Sequence, residues 1–280
     1  MAIVRIEHGD DPRLAAYADL AQPVQLARRG RFAAEGRLVV ERLLASRRYA
    51  IESLLLNEAS LSSLGPLLPA LEASVPVYVC PPTLLVELTG HHFHRGCLAL
   101  ARRPAPTALG DLLGVARSLV ILEGVGNADN VGSVFRNAAA FGIDGVLLGP
   151  GCMDPLYRKA IRTSMAQSLL VPYVTLGAAP ALWLACLERL RELAFQLVAL
   201  TPRHPATDIA RFVLPSGTRF ALLVGAEGSG LSEALLTRAE HRVRIPMRPE
   251  VDSLNLGVAT GIALHHLASA SSADPRRRST

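Results

Sequence analysis

Glycine, asparagine, arginine and carboxylate residues gather in three stretches of the chain's second half, each suited to a different part of a ligand. The first, EGVGNADNVGSVFRNAAAFG from Glu123, follows the apolar run Leu119 to Leu122. Glycines at 124 and 126 invite a dinucleotide loop, but the third position of GxGxxG is Asp129, so that fingerprint fails. What remains is Asn130, Gly132 and Arg136, with Asn130 and Gly132 expected to open a helix and Asn130 reading as an ordinary N-cap. Arg136 reads either as a solvated charge or as a guanidinium that converges with unpaired backbone N–H groups on an anion.

The second stretch, GAEGSGLS, follows Phe220 to Val224 and sets Gly225, Gly228 and Gly230 around Glu227. Glycines remove side-chain bulk, so backbone groups could touch a flat ligand such as a purine; a tight turn with a solvent-facing glutamate reads equally well. Ser229 has no glycine two residues before it, which excludes a serine-hydrolase elbow. The third stretch, IPMRPEVDSLNLGVATGIALHHL, is expected to end a strand at Ile245 and Met247. Ser253 or Asp252 should cap a last helix, with Asn255 in its first turn, as a polar fringe on an apolar pocket. A fourth cluster, His91, His92, His94 and Cys97, crowds within seven residues and lacks the two-plus-two spacing of structural zinc. It reads as a polar surface loop, and no metal is expected.

These residues need a scaffold. Ligands on open parallel sheets bind beyond the carboxyl ends of the strands. Leu119–Leu122, Gly145–Leu148, Gln196–Leu200 and Phe220–Val224 read as buried strands alternating with helical segments, which argues a parallel sheet covered on both faces. The helix Ser253 to Ser269 carries Leu254, Val258 and Ile262 four apart, with Gly257 and Gly261 on a neighbouring stripe where another backbone could approach, and should pack. Before the turn-rich Arg102–Asp111, an apolar helix face (Val39, Leu43, Leu44), strands at Ile51–Leu56, Val75–Val79 and Cys97–Ala101, and a helix at Leu84–Leu88 make a small α/β domain. The expected division is residues 1–105, a linker at 106–115, a second domain at 116–270 and a frayed basic tail at 271–280.

Composition bounds the rest. At 280 residues and 50% hydrophobic the chain can bury a full core, which excludes a disordered tail or a mini-protein. Even the apolar Ala181–Thr201 is cut by Glu188, Arg189, Arg191 and Glu192, so no bilayer span is expected. Acidic residues in MAIVRIEHGDDP speak against a secretory signal, and a cytoplasmic location is expected. Cys80, Cys97, Cys152 and Cys186 form no CxxC and read as buried reduced thiols. The net charge of +5 comes from 28 arginines and Lys159 alone. That fits a polyanionic partner such as nucleic acid, and equally a genome that favours arginine codons.

Together, NVGSVFRNA (Asn130–Ala138), LLVGAEGSGLS (Leu222–Ser232) and IPMRPEVDSLNLGVATGIAL (Ile245–Leu264) resemble, in order and spacing, the three motifs of the SpoU (TrmH) family of RNA ribose 2′-O-methyltransferases, in the SPOUT class. The resemblance covers Leu119 to about Ala268. The first half is more loosely similar to that family's ribosomal-protein-like, RNA-binding domain, best at TGHHFHRGCLALARRP. The resemblance implies an α/β fold with a C-terminal trefoil-knotted parallel sheet, a homodimer, S-adenosylmethionine as cofactor, and transfer or ribosomal RNA as substrate. It places Gly225, Glu227, Gly230, Ile245, Met247, Leu254 and Asn255 at cofactor-binding positions and Asn130, Arg136, Glu227, Ser253 and Asn255 at catalytic or substrate-side ones. Two departures stand out: Ala166, in RTSMAQS, replaces a common glycine, and Gly257 a usual serine. The alternatives are an inactive RNA-binding or ribosome-assembly protein on the same fold, and a base methyltransferase of the same class.

Overall fold

The computed structural model describes residues 2–89, 96–177 and 180–271. His91, His92 and His94, and the tail from 272 on, lie outside the described residues. The chain forms two compact units: residues 1–105 with 155–170, and residues 106–154 with 171–280.

The first unit is a mixed five-stranded sheet built from β1 (Ile3–Arg5), β2 (Arg31–Glu35), β3 (Ile51–Leu56), β4 (Val77–Val79) and β5 (Cys97–Arg102), in the order β1-β4-β3-β5-β2. Helices α1 (Pro23–Arg28), α2 (Arg37–Ser46), α3 (Glu58–Leu64) and α4 (Pro82–Thr89) connect them. The apolar spacing read for α2 is met, with Val39, Val40, Leu43 and Leu44 buried. Leu55, Leu85, Leu98 and Leu100 share one core with Tyr17, whose buried hydroxyl is bonded to Ser53 Oγ at 2.8 Å.

The second unit is an all-parallel seven-stranded sheet. Its elements run α5 (Leu109–Val115), β6 (Ser118–Glu123), α6 (Ala128–Ala140), β7 (Gly145–Leu148), then, after an excursion, β8 (Tyr173–Thr175), α8 (Pro180–Glu192) and β9 (Phe195–Leu200). They continue through β10 (Thr207–Asp208), β11 (Arg219–Gly225), α9 (Glu233–Leu236), β12 (His241–Arg244) and α10 (Leu256–Ser271), and the strand order is β10-β12-β9-β11-β6-β7-β8. Leu119 and Ile121 of β6 pack with α5 and α8 in one cluster, while the alternate Val120 and Leu122 are as deeply buried on the opposite face. Burial on both faces is why these strands are continuous apolar runs.

Two stretches differ from the sequence reading. The expected linker at 106–115 contains α5, with Leu112 and Leu113 buried in the second unit's core. The excursion at 155–170, carrying α7 (Arg158–Thr163), groups with the first unit. Buried Glu35 draws Arg158 and Arg162, both at 3.4 Å, while Arg42 Nη1 donates to the Met165 carbonyl at 2.5 Å and Tyr49 Oη to that of Leu169 at 2.9 Å. Within it Ala166 is fully buried at a φ of +68°, a left-handed conformation that a side chain resists and glycine does not.

Candidate active site

Parallel strands β12, β9 and β11 are neighbours, so their carboxyl ends open side by side. At the end of β11 the chain doubles back on itself. The Gly230 N–H donates to the Ala226 carbonyl at 3.0 Å, the Ser229 N–H to that of Glu227 at 3.1 Å, and Gly228 and Gly230 hold φ of +82° and +69°. Gly225 answers a different demand: a Cβ there would lie 2.2 to 2.4 Å from backbone atoms of Gly230 and Leu231. The turn is pinned at its far end by Ser232, the N-cap of α9. Glu123, at the end of β6, accepts from the Ser232 N–H at 2.8 Å and its hydroxyl at 2.9 Å, and from Trp183 Nε1 at 3.3 Å. Sequence reasoning missed Glu123; the signal was a carboxylate ending a strand otherwise buried on both faces.

Beyond β12 the chain crosses the same edge. The strand stops at Arg244, so Ile245 and Met247 lie in the following loop instead of closing the strand. Asn255 is the cap of α10, its Oδ1 accepting from the Val258 N–H at 3.3 Å, where Ser253 or Asp252 was expected. The turns enclose a cleft of about 300 Å³. Of the seven residues singled out for a cofactor, Gly225, Glu227, Gly230, Ile245, Met247 and Leu254 line it and Asn255 does not; Ser253 sits with the six. The end of β9 adds Leu200, Thr201 and Pro202. The wall is mainly apolar with few polar groups, the usual constitution of a small-molecule site.

Asn255, beside the cleft, ties two of the three motifs to its own. Its Nδ2 donates to Asn130 Oδ1 at 3.2 Å and approaches Glu227 Oε1 at 3.5 Å, the outer limit of a hydrogen bond. Asn130 is 3% exposed, whereas Glu227 is open to solvent. Asn137, two turns further along α6, donates to the Gly257 carbonyl at 2.7 Å. A Cβ on Gly257 would meet Ser133 Cβ at 2.6 Å, and one on Gly261 would meet Asn137 Nδ2 at 3.2 Å. Glycine at 257 therefore fits serine at 133. The α10 face that packs on α6 is this glycine stripe, and Val258 and Ile262, expected to pack, are 52% and 40% exposed.

The arginine stands apart. The cap of α6 is Asn127, whose Oδ1 accepts from the Asp129 N–H at 2.8 Å, so Asn130 lies inside the first turn and is not the cap. Arg136 is then in the third turn, roughly 12 Å of helix rise from the first residue, too far to share an anion with that helix's own free N–H groups. It is exposed, it does not line the cleft, and among the described residues it has no hydrogen-bond or ion-pair partner. The helix-mouth placement expected for it is corrected.

The cysteines take no part. Burial pushes the thiols of Cys80 and Cys186 up to about 11, and those of Cys97 and Cys152 upward as well, which disfavours thiolates. Among the described residues no group of histidine, cysteine and acidic side chains could hold a metal ion, and no helix is long and apolar enough to cross a membrane.

Residues 117–265 match the model of the SpoU rRNA Methylase family. The chain is 41% identical over 261 residues to an uncharacterized tRNA/rRNA methyltransferase of Mycobacterium bovis, spanning 91% of this chain and 88% of that one. It is 25% identical to a 23S rRNA (guanosine(2553)-2′-O)-methyltransferase of Bacillus subtilis, over 94% and 98% of the two chains. Among solved structures, an AdoMet-bound rRNA methyltransferase from Sinorhizobium meliloti shares the fold, with a TM-score of 0.79, 22% identity and 99% of each chain covered.

Proposed function

The chain belongs to the SpoU rRNA Methylase family, and from that premise we propose that it transfers a methyl group from S-adenosylmethionine to a ribose 2′-hydroxyl of ribosomal or transfer RNA. The observation that carries this reading is the cleft, where a side-chain-free glycine turn, an apolar wall and the Asn130–Asn255–Glu227 trio meet at one sheet edge. The fit is favourable on the residues present. Backbone of Gly225–Gly230 can lie flat against an adenine, while Ile245, Met247 and Leu254 cover it. Bound there, S-adenosylmethionine supplies an electrophilic methyl carbon. The choice of ribose over base rests on the relative named for 2′-O methylation.

The protein's own residues must bring the acceptor oxygen in line, about 3 Å from that carbon, and lower the cost of removing its proton. Arg136 is a poor base, since a guanidinium holds its proton to a pKa above ~12. It acts as a clamp on an RNA phosphate and stabilises the developing alkoxide, a role its unpartnered, exposed guanidinium suits. Glu227 or the RNA phosphate takes the proton; Asn255, braced by Asn130, reaches toward Glu227, and Ser253 meets the ribose at the rim. The test is methyl transfer to ribosomal and transfer RNA followed by alkaline digestion. Alkali-resistant dinucleotides are expected, and label confined to bases contradicts ribose chemistry. For Arg136→Lys, a fall in kcat and RNA affinity is expected; full kcat with unchanged RNA affinity contradicts the clamp.

Four further readings go with this one. The second unit is a trefoil knot, supported by α10 returning after β12 to pack on α6 and β11 in the middle of the strand order. The enzyme is a homodimer, supported by the outward apolar stripe of Val258 and Ile262 on α10, and its mass in solution tests this. Residues 1–105 select the RNA. Its site of action is the cytoplasm, in keeping with an RNA substrate and four free cysteines.

A further inference from the structure

We propose that one end of the first unit's sheet, where β2 and β3 begin and β5 stops, is a docking face for the RNA phosphate backbone. The proposal rests on the RNA-substrate reading above and names the surface that reading leaves open. Three segments meet at this end: residues 28–31 (RRGR), 47–52 (RRYAIE) and 101–103 (ARR). They hold seven arginines against one carboxylate, Glu52, and so exceed by themselves the chain's net charge of +5. The positive charge of this protein is therefore not spread by composition alone; it is concentrated.

The segments are bound into one surface. The Arg103 N–H donates to the Gly30 carbonyl at 2.8 Å, the Arg102 N–H to that of Ala50 at 2.9 Å, and Arg103 Nε to that of Arg31 at 3.1 Å. Arg31 and Arg102 are register partners on antiparallel β2 and β5, an arrangement of like charges that works against folding. Among the described residues Glu52 alone bridges them, at 2.6 and 2.9 Å. Arg28, in the last turn of α1, complements that helix's dipole, which accounts for one arginine of seven. Arg48, whose Nη1 donates to the Leu170 carbonyl, and Arg103 also serve folding in part; elsewhere an arginine can be used wholly for folding. Arg219 lies over the Phe195 ring at 4.4 Å, and its Nε, Nη1 and Nη2 all donate to backbone carbonyls. Arg102 instead leaves 71% of its side chain exposed, and Arg28 and Arg29 are exposed beside it. Guanidinium forks presented to solvent at this density match phosphate oxygens and carry no base preference.

The experiment measures binding of full-length protein to deproteinised ribosomal RNA between about 50 and 200 mM salt, the range in which phosphate contacts separate from others. Arg28→Gln, Arg102→Gln and their combination are compared with Arg189→Gln on α8. Each of the first two should lower the slope of log affinity against log salt by about 0.7 to 0.9 and weaken binding about 3- to 10-fold, the pair doing so about additively. Arg189→Gln should do neither, Arg102→Lys should keep the slope, and affinity for S-adenosylhomocysteine should not move in any variant. A double variant with wild-type slope and affinity overturns the docking face and leaves the RNA reading intact. Wild-type protein that neither binds RNA nor methylates it overturns that reading, and this proposal with it.

Discussion

The cleft and the arginine of the second unit face the same proposed reaction yet are built to opposite standards. On the cleft side the turn after β11 is pinned at both ends and the start of α10 is tied toward it: Gly225 admits no Cβ, Glu123 holds Ser232, and Asn255 reaches toward both Asn130 and Glu227. On the other side Arg136 is exposed with no partner among the described residues. Preorganised dipoles stabilise charge without reorganisation at the moment of reaction. A group left bare does so only once something else fixes it. Under the function proposed above, the difference teaches that the donor half of the site is built by ties within the chain, whereas the acceptor half gains its order only when a partner such as the RNA is bound.

Breaking the rigid half should have the largest effect. Gly225→Ala puts a methyl group into the backbone of Gly230 and Leu231, and an expected loss of about 100-fold or more in S-adenosylhomocysteine affinity follows from a turn that cannot close. Calorimetric titration reads it, and unchanged affinity would show that the turn is not the binding element. Next comes Arg136→Ala, expected to lower kcat about 100-fold, the cost of losing one transition-state donor, with cofactor affinity untouched. Loss of cofactor affinity in that variant would erase the contrast between the two halves. Asn255→Ala removes both the α10 cap and the link between motifs. It should cost about 1 kcal/mol of stability, read by thermal melting, together with about a tenfold drop in kcat/KM. The smallest effect lies outside both halves: Ala166→Gly relieves the left-handed strain and should stabilise the protein by roughly 1 kcal/mol without changing either affinity.

What the sequence reveals follows the same divide. Strands buried on both faces, such as β6 and β11, are legible as apolar runs; the second and third motifs line one cleft, and the first joins them through the Asn130–Asn255 bond. Strands that depend on their neighbours were not legible. Edge strand β1 has three residues and β2 (RFAAE) is bounded by charges, while of β12 (HRVR) only the end is legible, and it falls at Arg244, short of the expected Ile245 and Met247. The attachment of residues 155–170 to the first unit hangs on Glu35 meeting Arg158 and Arg162, partners more than 120 positions away, which no local pattern encodes. Within the site, helix phase decided the misreadings. Asn127 and Asn130 are both good caps, and choosing the later one moved Arg136 toward a helix end it does not occupy. On α10 the glycine stripe is the close-approach face its composition implies, with the Gly257 carbonyl reaching Asn137, and only the outward Val258 and Ile262 depart from the expected packing.

The central claim is that the turns at the exit of β11 and β12 form one cofactor site in each chain. Isothermal titration of the wild-type protein with S-adenosylhomocysteine tests it most directly. The account predicts saturable binding at one equivalent per chain, abolished by Gly225→Ala and retained by Arg136→Ala. Folded wild-type protein that takes up no ligand at millimolar concentration would contradict it.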